Sequence, residues 1–130
     1  MKKLALFIII IFLFLPIYCL ASDEWTKEDT IYECIFLGVT AIDWMQTLEI
    51  VKENHCESNP ILGEHPSHMR VNTLIPMAMF GHAFVAYILP SEYILYGFKI
   101  YPRRTWQVFY IGVETGAIFH NYNCGIRIHF

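Results

Sequence analysis

Ile31–Val51, IYECIFLGVTAIDWMQTLEIV, is the stretch on which the fold turns. It has no proline, one glycine (Gly38) and nine strong apolar residues: Ile31, Ile35, Phe36, Leu37, Val39, Ile42, Leu48, Ile50 and Val51. A helix of about 20 such residues crosses the hydrocarbon core of a bilayer. Thr40, Asp43 and Thr47 stand at i, i+3 and i+7 and so share a face, with Gln46 beside them. At about -0.5 kcal/mol per Ile, Leu, Val or Phe and about +3 for a central acid, the nine residues supply about -4.5, and Asp43 removes most of it. Such a segment inserts stably only beside a partner that meets the acid.

Two more segments have the same scale. Val71–Leu89, stopped by Pro90, carries no acid or base beyond His82, and Thr105–Tyr122, opened by Arg103 and Arg104, carries Glu114. Of the 130 residues, 55% are hydrophobic and only 16% charged, where a soluble domain has about 25% charged. The sequence therefore predicts an all-α polytopic membrane bundle, with three transmembrane helices in one domain over residues 22–130. A soluble, secreted three-helix protein is the competing reading. Nine Lys and Arg against 12 Asp and Glu, with no basic block, speak against a nucleic-acid partner.

Outward from these helices, Thr30 offers an N-cap for the first, and Lys52–Arg70 reads as a polar loop punctuated by Pro60, Gly63 and Pro66. Ser91–Pro102 sets Tyr93, Tyr96, Phe98 and Tyr101 around Lys99, a mixture suited to the headgroup level, and reads as an interfacial turn. Asn123–Phe130 is a short tail.

At the other end, Lys2 and Lys3 precede the uninterrupted apolar run Leu4–Leu15, Pro16 and the small-residue pattern Cys19-Leu20-Ala21. This is the form of a secretory signal peptide cut after Ala21. Kept as an anchor, the 18 residues Leu4–Ala21 would be a fourth span. Cleavage takes the net charge from -3 to -5 and leaves Cys34, Cys56 and Cys124, an odd number with no pairing legible in the sequence. The expected location is the bacterial inner membrane, with the N-terminus of the mature chain outside. The excess of Lys99, Arg103 and Arg104 on the same outer side pulls against that orientation.

Asp43, His82 and Glu114 each lie within about two residues of the midpoint of their expected helix, or about 3 Å along the axis. That predicts one level, facing inward, because a charge in a span is costly toward lipid. Arg103, Gln107, Glu114 and Asn121 form a polar stripe down the third helix, and Gly112 and Gly116 open its other side to close packing. Ala78 and Ala86 flank His82 with small residues. Two carboxylates and an imidazole at one depth suit a divalent transition metal as cofactor, with Thr47 and Asn121 supporting the ligands. They also suit general acid-base chemistry or a proton relay. Simple packing glue, at about 0.6 kcal/mol per interhelical contact, is the plain alternative.

The loop carries a second set of ligand types in His55, Cys56, His65 and His68, with His65-x-x-His68 a weak zinc signal. Glu57-x-Asn59-Pro60 followed by Gly63 predicts a turn that can fold back into the bundle mouth and bring Glu57 to the buried acids. Asp43-Trp-Met-Gln46-Thr47 followed by Glu57-Ser-Asn59-Pro60-Ile-Leu-Gly63 resembles a group of small uncharacterised bacterial membrane proteins with Asp-x-x-x-Thr and Glu-x-Asn-Pro motifs. The resemblance spans residues 40–121 and implies a compact bundle of a few membrane helices, without an activity. No Gly-x-Ser-x-Gly, phosphate-binding glycine loop, His-Glu-x-x-His or Cys-x-x-Cys is present.

Three functions fit these residues. The first is a binding or assembly protein organised by Asp43, His82 and Glu114, holding a metal ion. The second is an intramembrane metal-dependent hydrolase in which Glu114 or Asp43 is the base and His82 the acid or ligand. The third is a proton-coupled accessory subunit of a membrane complex. The partners expected are the lipid bilayer and other membrane-protein subunits.

Overall fold

The computed structural model describes residues 23–53, 55, 57 and 59–129. The expected signal segment, 1–21, and Cys56 lie outside the described residues. Three helices and one hairpin make up the rest: α1 (Lys27–Lys52), α2 (His68–Ile88), β1 (Tyr93–Leu95), β2 (Phe98–Ile100) and α3 (Pro102–Asn123).

Each helix begins earlier than its apolar run: a polar side chain caps the first two, and a proline opens the third. Thr26 Oγ1 accepts from the Asp29 amide at 3.1 Å and Asp29 Oδ2 accepts from the Thr26 amide at 2.9 Å, a reciprocal box that starts α1 at Lys27. The expected cap, Thr30, lies one turn inside the helix. Ser67 Oγ accepts from the Arg70 amide at 3.2 Å and starts α2 at His68, three residues before Val71. Pro102 opens α3, where its fixed φ suits the first helical position and its missing N–H is no loss. Arg103 and Arg104 are therefore helical.

The expected interfacial turn is a two-stranded antiparallel hairpin, with Leu95 opposite Phe98 and Tyr93 opposite Ile100. Tyr96 (φ 49°) and Gly97 (φ 83°) make its turn, both left-handed as a type I′ connection requires. Its apolar side chains stand free, Tyr96 being 94% and Phe98 75% exposed.

The helices run up, down and up. Trp44 Nε1 donates to Asn72 Oδ1 at 2.9 Å and Glu33 meets His82, so each step up α1 is a step down α2. The α1–α3 hydrogen bonds join residues 72 to 78 positions apart, so those two helices are parallel. Leu62, Val71 and Ile75 form a small apolar core at the loop end, backed by Trp44, Leu48, Val51, Leu74 and Met79.

Elsewhere polarity is inverted. Among the described residues ten buried side chains are polar or charged and seven are hydrophobic, while Phe80, Phe84, Phe109 and Phe119 are each more than 60% exposed. A soluble core has the opposite bias. By length and composition α1 and α2 are candidate membrane spans. Added Cβ atoms at Gly112 and Gly116 would meet nothing within 4 Å, so the expected close-packing face of α3 is open rather than packed within the chain.

Candidate functional site

The buried polar residues form a seam between α1 and α3, closed in part by α2. On α1 they are Asp29, Glu33, Thr40, Gln46, Thr47 and Glu49, of which Asp29, Glu33, Thr40 and Thr47 stand four, seven and seven residues apart; on α3 they are Arg103, Gln107 and Asn121, four and fourteen apart. That periodicity keeps one face of each helix toward the other. Three groups of contacts lie along it.

At the hairpin end Arg103, 1% exposed, ties three helix ends together. Its Nε donates to Ala86 O and Leu89 O, both at 3.0 Å, where the C-terminal carbonyls of α2 favour a cation. Nη1 donates to Asp29 Oδ2 at 2.9 Å and Nη2 to Asp23 Oδ1 at 2.7 Å. Partial burial would raise the Asp23 carboxyl, but hydrogen bonds from Ser91 and the nearby Arg103 charge outweigh it and hold it below its ordinary value near 3.8. A lowered folded-state pKa adds stability above the unfolded value and loses it as pH falls toward the folded one. Acid titration below pH 3.8 is thus expected to weaken the hairpin end, and Asp23→Asn to flatten that part of a thermal-unfolding profile against pH.

In the middle, His82 Nδ1 donates to Glu33 Oε1 at 3.0 Å and Gln107 Nε2 donates to Glu33 Oε2 at 3.4 Å. Gln107 also donates to Asp29 O at 3.1 Å. The His82 ring stacks on Phe36, with centroids 3.6 Å apart, and Trp106 and Tyr110 flank it at 5.6 and 5.4 Å. This aromatic box fixes the imidazole plane. The two nitrogens of an imidazole face apart, so Nε2 points away from Glu33; it is buried and has no hydrogen-bond partner. Thr40 Oγ1 and Gln107 Oε1 are buried and unpartnered as well.

At the loop end Asn121 Nδ2 donates to Asp43 Oδ1 at 3.1 Å and to Gln46 Oε1 at 3.4 Å, while Gln46 Nε2 donates to Ile118 O at 3.4 Å. Glu114 and Glu57 both lie within electrostatic reach of Asp43. The loop builds this position as its residues suggest. Glu57 Oε1 accepts from the Asn59 amide at 2.8 Å, Asn59 Oδ1 accepts from the Ile61 amide at 3.0 Å, and Gly63 takes φ 83°. Thr47 is buried in the same stretch of α1.

Of the three residues expected at one level, Asp43 and Glu114 lie within electrostatic reach of each other, and His82 is set apart. His82 pairs with Glu33, ten residues before Asp43 on the same helix and so about 15 Å away along its axis. Asp43, His82 and Glu114 therefore do not converge on one metal ion. The helix midpoints misled because the caps move the helix starts and the loop sets the register of α2 against α1. His65 and His68 are exposed, and among the described residues they belong to no set of three metal-capable side chains within ligand distance. Glu33 was the residue not picked out of the sequence. Its signal was its place seven residues before Thr40, on the stripe that carries Asp43 and Thr47.

No family model, curated protein or solved structure matches the chain.

Proposed function

We propose that the chain is a multi-pass inner-membrane protein, its three helices crossing the bilayer with the polar seam inside, and that it handles protons as an accessory subunit of a membrane complex. The reversed polarity supports the membrane placement: aromatic and aliphatic side chains face out along all three helices while acids and amides face in. The exposed aromatic hairpin suits the headgroup level, and the open Gly112–Gly116 face suits a neighbouring helix. The resemblance of the Asp43 and Glu57 motifs to those of small uncharacterised bacterial membrane proteins would imply the same architecture.

The observation that carries the proton reading is His82. An imidazole held by a carboxylate on Nδ1, with Nε2 free inside a span, can take a proton on one nitrogen and release it from the other. Glu33, Asp43 and Glu114 supply further exchange groups along the seam, and none of them has a lysine or arginine partner among the ion pairs of the described residues. Intramembrane acids without a cation mark proton and ion paths.

Proton entry into liposomes carrying the purified chain, driven by a potassium diffusion potential and read by an internal pH dye, tests this. The expected result is flux above that of empty vesicles, falling to their level in His82→Gln and in Glu114→Gln. Equal flux in all three proteins, or none in the parent, defeats the reading.

A further inference from the structure

We propose that the end of α1 and the C-terminal tail form a binding site for a divalent transition-metal ion of the zinc type, with Glu49, Glu53 and His129 as ligands. One ligand atom of each lies within 4.8 Å of the others. Glu49 and Glu53 are four residues apart, which puts both carboxylates on one face where α1 ends. The exposed carbonyls of a helix C-terminus add attraction for a cation.

The third ligand arrives because the chain after α3 turns back. Gly125 takes φ 88°, the Ile126 amide donates to Asn121 O at 3.0 Å, and the Ile126 side chain is buried. This anchor places His129 Nδ1 3.6 Å from Glu49 Oε2. His55 Nε2, 3.0 Å from Glu53 Oε2, pairs with Glu53 and is not one of the three converging ligands. A cation already sits on Glu49: Lys52 Nζ is 3.2 Å from its Oε2. Its side chain is largely exposed on a flexible stem, so an incoming ion displaces it without disturbing the bundle. Carboxylate oxygens with imidazole nitrogen select zinc, nickel or copper over magnesium or calcium. The site shares Glu49 with the loop end of the seam but uses none of the groups of the proton reading, and holding an ion there would clamp the tail to α1.

Calorimetric titration of the full chain in detergent micelles with Zn²⁺ alone is the test. One zinc per chain is expected, with affinity reduced by about tenfold or more in His129→Ala and in Glu53→Gln and unchanged in the double variant His65→Ala/His68→Ala. All four positions are exposed, and circular dichroism confirms that the variants keep their helices. Absence of binding by the parent chain, binding that survives both single substitutions, or binding lost in the double variant overturns the site.

Discussion

Arg103→Ala is expected to lower the stability of the folded chain by about 3–5 kcal/mol, the cost of breaking a buried ion pair by removing one partner. The loss is large because Asp29, buried at 4% exposure, keeps its charge and loses its cation. The carbonyls of Ala86 and Leu89 lose their donor in the same step. Asp23 contributes less, since its side chain is 35% exposed and water replaces the guanidinium there. Arg103→Lys is expected to recover only part of the loss. A single ammonium cannot replace a planar fork that reaches α2, Asp29 and Asp23 at once. Equilibrium unfolding in mixed micelles measures both variants. A change below about 1 kcal/mol for Arg103→Ala would mean that the Arg103–Asp29 pair behaves as an ordinary surface pair.

Glu33→Ala and Glu33→Gln are expected to separate strongly. Alanine leaves His82 Nδ1 and Gln107 Nε2 without their acceptor. In water-excluded protein each such orphan costs about 1–3 kcal/mol, while interhelical bonds in a bilayer average about 0.6 because the unfolded helices find other partners. A loss of about 2 kcal/mol lies between these limits. Glutamine keeps an oxygen for His82 and is expected to retain about half of that stability. Its carboxamide cannot exchange the proton, however, so liposome flux should fall to baseline in both variants. Equal stability of the two would show that the acceptor at residue 33 does not hold the imidazole. Retained flux in Glu33→Gln would remove Glu33 from the path.

The stripe of polar residues was legible wherever it ran through residue types that stand out in an apolar helix. Arg103, Gln107, Glu114 and Asn121 were read on one face from their four- and seven-residue spacing, and the structure turns Arg103, Gln107 and Asn121 fully inward. Glu33 lay near the polar lead-in of its helix, where an acid is unremarkable, and only the heptad phase ties it to Asp43. The depth of His82 was not legible, because it depends on how far the loop Glu53–Ser67 advances before α2 starts. Asn59 and Gly63 set that advance through turn geometry. The hairpin was hidden by composition, since Tyr96-Gly97 is a weaker turn signal than Asn-Gly and its aromatic neighbours spoke for a bilayer surface.

The parallel pairing of α1 with α3 also sets an order in time. Asp43 meets the amide of Asn121 only after 78 more residues have been made. At about 5–20 residues per second, that is roughly 4–16 s of synthesis. Throughout that interval Asp43 lacks the Asn121 amide, and Glu33 waits for His82 and then Gln107; an acid at the centre of a lone span nearly cancels its insertion energy. On the proposed membrane placement the ribosome therefore delivers a first helix whose Asp43 is met only when the last helix emerges. On that placement, either the insertion machinery shelters α1 for those seconds or the helices enter the bilayer together, and a chain cut short before Gln107 is expected to lose its insertion.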